Sequence, residues 1–315
     1  MTERENSIIY FLDKCAMKYG IDDIRNLPYS TDDRGSPDED AKQYIMCYDK
    51  NFPELEKYCG PDCFFHSWPS ANIQSFAQTR DEIIVESAKP PTIDKFGWYG
   101  NLYSPIEGAV EKYTRPLLKE IGDEHSDMFD IVHISPVSSS INKDTPNYIS
   151  LPELTKYEYL IDIGGNGFSG RLKWLFFSKR PLLMIDRNYI EFFYHDLKPY
   201  VHYIPVKMDL SDLVEQAKWV KANHDKCLEI ANNAYDYALS NFTEDKIIDR
   251  VYYVYNNIIA DKNNNVESFS QIKDNCNNMS FYIMLFFICL AISLFVYMMM
   301  KIYKSLLRNR KMYRT

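Results

Sequence analysis

The stretch "YLIDIGGNGFSGRLKWLFFSKRPLLMID", Tyr159 to Asp186, decides how the chain is read. Gly165, Gly167 and Gly170 fit G-x-G-x-x-G, the strand-like run Tyr159 to Ile163 precedes them, and Asp186 follows near the spacing of a ribose-binding acid. Read literally, this is a dinucleotide-binding fingerprint. A glycine-rich turn between strand and helix has one general consequence. It lets backbone N–H groups approach an anion at a helix N-terminus, whichever phosphate that is.

Three features argue against a dinucleotide. Such a domain needs several further strands after its fingerprint, and only "RPLLMID" (180–186) and "VHYIPV" (201–206) follow before the chain turns helical. Arg171 and Lys173 stand just past the last glycine. A guanidinium there suits a diphosphate that must leave, because it neutralises the charge that develops; the alternative is a solvated helix face. Asp186 is followed directly by Arg187.

Outward from this segment, strand and helix signals alternate. Strand-like runs lie at Tyr44 to Tyr48, Cys63 to Trp68, Phe96 to Asn101 and Phe129 to Ser135, and helical periodicity at 1 to about 30, Ser75 to Lys89, Ser104 to Gly122 and 150–157. Another helix is expected over 169–178, and from Leu210 to Asp261 apolar residues recur every three or four positions. The pattern predicts an α/β protein with a parallel sheet covered by helices.

The whole chain sets wider bounds. Its 315 residues are 46% hydrophobic and 25% charged, enough to bury a core. The 25 Tyr and 18 Phe serve either that core or stacking surfaces. A net charge of −8 argues against nucleic acid as a partner. Phe281 to Met300 holds no charge, and twenty residues at 1.5 Å each span the hydrocarbon core of a bilayer, so a transmembrane helix over 281–300 is expected. A polar linker (263–280) precedes it and a basic tail (301–315) with six Lys and Arg follows. The N-terminus lacks a signal-peptide pattern. A basic tail favours a cytoplasmic C-terminus, whereas tail anchoring favours a cytoplasmic body, and the side stays open. Of seven cysteines, Cys47, Cys59 and Cys63 with His66 admit zinc, a disulfide or free thiols.

"GGNGFSGRLKWLF", "EFFYHDLKPYVHYIPVKMDLSDL" (191–213) and "WVKANHDKCLEIANNAYDYALSNF" (219–242) resemble the C-terminal half of the protein O-glucosyltransferase and capsule-associated protein family, glycosyltransferase family ninety. The resemblance is dense over about 155–256, and the Asn, Ile, Lys and Tyr bias points to an AT-rich genome such as a large DNA virus. It implies a GT-B-like fold of two Rossmann-like lobes, an N-terminal acceptor-side lobe (1–150) and a nucleotide-sugar lobe (151–262); with the span at 281–300, an endomembrane or viral membrane location is expected. It also implies inverting, metal-independent transfer of glucose or xylose from a UDP-sugar to a protein or glycan hydroxyl, with no cofactor.

The family's Gly-x-x-x-Ser-x-Arg-x-Lys falls on Gly165, Ser169, Arg171 and Lys173, which the resemblance places at the donor diphosphate. Glu191 is placed at the ribose, or else caps its helix. Trp68-Pro69 matches a family Trp-Pro, and Trp98-Tyr99-Gly100-Asn101 the family's Phe-Arg-Gly-Ser, so Tyr99 stands where the family has Arg, with Gly100 and Asn101 at the donor. A base must take the acceptor proton; the resemblance points to the loop "STDDRGSPDED", hence Asp32 or Asp33. His133 and His202, in apolar strands, read as packed side chains. A non-catalytic nucleotide-sugar-binding or scaffold protein of the same fold is the alternative.

Overall fold

The computed structural model describes residues 1–35, 42–103, 111–135, 143–263, 298, 299 and 301. Residues Met1–Ile258 form one compact unit; of the second, Ile259–Thr315, only 259–263, 298, 299 and 301 are described.

At the centre is a five-stranded, wholly parallel sheet of β2 (Ile93–Gly100), β3 (Phe129–His133), β4 (Tyr157–Asp162), β5 (Leu182–Ile185) and β7 (Ile204–Val206). Its spatial order is β3-β2-β4-β5-β7. The chain lays strands outward on one side of β2, then crosses back and proceeds on the other. The order therefore reverses between β2 and β4, and in open α/β sheets ligands bind outside the carboxyl ends of strands at such a switch point.

Both faces of a parallel sheet must be covered, so its strands carry apolar residues on both sides. On one face Phe96, Trp98, Tyr159, Ile161, Leu183 and Ile204 pack with Leu118 of α3 (Glu111–Glu124) and Leu213, Ala217 and Val220 of α5 (Leu213–Ala222). On the other, Tyr157, Leu160 and Met184 pack with Ile83 of α2 (Phe76–Ser87), Trp174 of the single-turn α4 (Leu172–Leu175), and Ala234 and Ala238 of α6 (His224–Asn241). A last helix runs over 244–263.

The N-terminal region has a different character. Helix α1 (Glu3–Tyr19) starts with a reciprocal capping box between Thr2 and Glu5 and stops at Gly20, whose φ of 68° suits glycine. Its Ile8, Phe11 and Leu12 are buried. Beyond it come short 3-10 turns and one two-residue strand, β1 (Tyr48–Asp49), paired antiparallel with β6 (Tyr189–Ile190). The strand expected at 44–48 is reduced to bridges at Tyr44 and Ile45 and to Tyr48 at the start of β1, and 63–65 is a 3-10 turn.

Among the described residues there are a five-stranded and a two-stranded sheet, and the strands of the larger one come from both sides of residue 150. One expectation is corrected. No helix among the described residues is long and apolar enough to cross a membrane. The span expected at 281–300 lies outside the described residues except for Met298 and Met299. The single-pass anchor, the membrane as partner and the endomembrane or viral-membrane location are withdrawn accordingly.

Candidate functional site

A cavity of about 260 Å³ opens at the switch point. Tyr99 and Gly100 line it from the end of β2, and Ile163 and Gly165 from just beyond β4. Ser169, Gly170, Arg171 and Trp174 follow from the segment that closes the glycine loop, with Arg115 from α3 and Thr79 and Glu82 from α2. Four residues expected at a donor site, Gly100, Gly165, Ser169 and Arg171, are therefore brought together around one cavity.

The glycines serve close approach. None of the three in the fingerprint has positive φ. A Cβ on Gly167 would meet the Asp33 carbonyl oxygen at 1.7 Å, and one on Gly170 the Phe64 ring at 2.2 Å. The helix behind the loop is shorter than expected: one α turn, then a 3-10 turn at Phe176–Ser178, ended by Lys179 at φ 52°. So short a helix contributes little dipole. Cationic side chains must carry most of the site's attraction for an anion.

Two arginines do so. Arg171 Nη1 donates to the Tyr99 carbonyl at 2.7 Å, and its guanidinium lies 5.7 Å from the centre of the Trp98 ring. Burial draws its pKa below the ordinary value, with Asp162 opposing; a guanidinium stays charged regardless. A Cβ at Gly100 would meet the Trp98 ring at 2.9 Å and lie 3.3 Å from Arg171 Nη2, so a side chain there would displace the indole. Arg115 donates from Nε to the Gly164 carbonyl (2.9 Å) and from Nη1 to the Asn101 carbonyl (2.9 Å), and lies 5.8 Å from the same Trp98 ring. The sequence reading missed Arg115, because no motif spacing marks it and only the β2–α3 crossover carries it to the glycine loop.

Ser169 is oriented by a buried pair. Its Oγ donates to Asp162 Oδ1 at 2.5 Å, and Asp162 is ion-paired with Arg187 through its other oxygen. All three side chains are buried.

The remaining candidates lie elsewhere. Lys173 is completely buried and pairs with Asp62 (2.7 Å) and Glu191 (2.8 Å). It does not line the cavity, and neither does Glu191. Burial pushes the Glu191 carboxyl up to about 8, with Asp62 adding to the rise and Lys173 opposing it. Burial likewise raises Asp62, whereas for Lys173 the two carboxylates outweigh burial and hold the ammonium charged. One positive and two acidic groups in a dry site are neutral when Glu191 keeps its proton.

Asn101 Oδ1 accepts the Tyr103 N–H in a local turn. Asp33 pairs with Arg4 at 2.7 Å and packs behind Gly167, while Asp32 is exposed; neither lines the cavity. Tyr99, standing where the family has Arg, directs its hydroxyl to Asp130 and Tyr157. The described cysteines Cys15, Cys47, Cys59, Cys63 and Cys227 are free thiols, so no disulfide joins them. Among the described residues no group of three His, Cys, Asp or Glu could hold a metal, which removes the zinc alternative there.

The chain matches the description "Glycosyl transferase family 90" over residues 45–280. It is 37% identical to protein O-glucosyltransferase 1 of Rattus norvegicus over 111 residues, 35% of this chain and 28% of that protein. It is 35% identical over 120 residues to uncharacterized protein 179R of Invertebrate iridescent virus 6, covering 35% of this chain and 10% of that one. The matched part thus spans little more than a quarter of the rat relative. Among solved structures, Anabaena Alr3699/HepE in complex with UDP-glucose superposes with a TM-score of 0.35 at 12% identity, covering 71% of this chain and 54% of that one. With three quarters of its length inside the family's bounds, the chain belongs to glycosyl transferase family 90.

Proposed function

We propose that the protein is a glycosyltransferase that seats the diphosphate of a nucleotide-sugar in the switch-point cavity. The observation that carries this reading is the convergence of Arg171 and Arg115 on a cavity bounded by Gly100 and Gly165. In this reading the donor is UDP-glucose or UDP-xylose and the acceptor a hydroxyl of a protein or glycan, with inversion at the anomeric carbon. The acceptor oxygen attacks that carbon as the bond to the β-phosphate breaks. The two guanidinium groups, rather than a metal ion, take up the charge on the departing UDP. The acceptor proton passes to a carboxylate. Glu82, the one carboxylate among the described residues lining the cavity, is best placed for that role; Gln78 Nε2 holds its Oε1 at 2.8 Å.

A second reading, nucleotide-sugar binding without transfer, is favoured by one observation: neither Asp32 nor Asp33 lines the cavity. The readings separate with the purified full chain. UDP is expected to raise the unfolding temperature where NAD does not, and stabilisation by NAD alone would sink the proposal. UDP release from UDP-glucose or UDP-xylose with an acceptor present is expected from the wild type. Glu82→Gln is expected to lose at least tenfold in kcat while keeping the UDP-induced shift. Binding of UDP with no turnover of either donor would decide for the second reading.

A further inference from the structure

The second glycine of the fingerprint already has a neighbour in the space a ligand would use. In a dinucleotide site that position is glycine so that backbone can approach a pyrophosphate. Here the chain itself fills the space. A Cβ on Gly167 would meet the Asp33 carbonyl oxygen at 1.7 Å, its carbon at 2.8 Å and Arg34 Cγ at 3.4 Å.

The segment that fills it is fixed on its far side. The Asp33 carbonyl accepts the Cys47 thiol at 3.0 Å, and a Cβ on Gly35 would meet the Cys47 carbonyl oxygen at 2.1 Å. Arg4 of α1 pairs with the Asp33 carboxylate at 2.7 Å and donates to the Thr31 carbonyl at 2.6 Å. From this footing Arg34 reaches the glycine loop. Its Nε donates to the Asn166 carbonyl at 2.8 Å, and its guanidinium lies 5.5 Å from the centre of the Tyr189 ring.

Two arginines therefore grip two carbonyls of one loop. Arg115 holds Gly164 from α3, and Arg34 holds Asn166 from the N-terminal segment. Gly165, between the two grips, lines the cavity. Arg4, Asp33 and Arg34 do not line it, and all three precede the residues matched to the family, 45–280. A glycine-rich loop left to itself samples many conformations. A ligand that needs one of them binds more weakly by the fraction of time that one is populated.

We propose that Arg4, Asp33 and Arg34 are positioning residues, a strap from the N-terminal segment that holds the glycine loop in its donor-binding shape without touching the donor. Asp33 then serves the site through the loop and not as the base. This rests on the nucleotide-sugar reading of the cavity.

The test uses the full chain as wild type, Arg34→Ala, Arg34→Lys, Gly167→Ala, the double variant Arg34→Ala/Gly167→Ala, and Asp33→Asn. Arg34→Ala and Gly167→Ala should each weaken UDP about three- to tenfold in calorimetry. KM for UDP-glucose should rise with little change in kcat. Arg34→Lys, which keeps a charged donor, should recover part of the loss. Both single substitutions release the same contact, so the double variant should bind no more weakly than the weaker single. Additive losses would assign Gly167 to the ligand and overturn the strap. UDP binding at wild-type strength in both single variants would overturn it too, as would a loss of kcat at unchanged KM in Asp33→Asn, the mark of a base. Amide hydrogen exchange of residues 164–168 without ligand should quicken in Arg34→Ala. Unchanged exchange defeats the strap whether or not UDP binds. Faster exchange in a protein whose wild type does not bind UDP leaves the strap standing and defeats the functional reading alone.

Discussion

Arg171 and Lys173 stand two residues apart in one segment and end in opposite environments. Arg171 lines the cavity, held by a backbone carbonyl. Lys173 has no exposure at all and is clasped by Asp62 and Glu191. The geometry is simple: at 3.6 residues per turn, positions i and i+2 point about 200° apart, so two such cations cannot face one ligand. A spacing that reads in one dimension as a double clamp becomes, in three dimensions, one cation for the site and one for the core.

The contrast can be broken by experiment, first at its buried side. Lys173→Met leaves two acidic groups unpaired in the core and should cost about 3–5 kcal/mol in denaturant unfolding. Arg171→Ala should cost far less stability. A Lys173→Met protein as stable as the wild type would show that the triad does not hold the fold. Next comes the cavity side. Arg171→Ala removes a charged hydrogen-bond donor, worth about 1.5–3 kcal/mol, so UDP affinity by calorimetry should fall about ten- to a hundredfold. Were Lys173→Met to lose UDP affinity selectively at unchanged stability, the division of labour would be reversed.

The smallest effect is in pH. The Glu191 carboxyl is held up to about 8 by burial, with Asp62 adding to it, so the folded protein keeps a proton that the unfolded chain releases above the ordinary carboxylate range. Between those limits the native state binds more protons, and stability falls as pH rises. The contribution is complete at low pH and is lost as pH passes through about 8. Unfolding temperatures measured from pH 6 to 9 should decline in the wild type, and Glu191→Gln should flatten the decline. An unchanged slope in that variant would place the titration elsewhere.

Much of the fold was legible because burial on two faces leaves a plain signal. The runs at 96–101, 129–135, 180–186 and 201–206 are strands within a few residues of where they were read, and helix 75–89 is α2. The misreadings share a cause. "YIMCY" and "CFFHSW" are apolar because they pack into the core with α1, α2 and α6, and apart from Tyr48 in the two-residue β1 they make only isolated bridges or a 3-10 turn. A short apolar run cannot distinguish these outcomes. The helix expected over 169–178 is one α turn that passes into a 3-10 turn and is ended by Lys179 in the left-handed region, a tertiary outcome that apolar periodicity does not encode.

By itself the sequence determined the parallel α/β class, the position of the glycine loop after β4 and the family, since periodicity and local motif are properties of consecutive residues. Tertiary structure alone decided which charges line the cavity. It brought Arg115 and Glu82 to the cavity from helices far along the chain, withdrew Lys173 and Glu191 into a dry triad, and tied the Ser169 hydroxyl to Asp162. Those outcomes depend on strand order and on which buried partner each polar group finds, and neither is written in the spacing of letters.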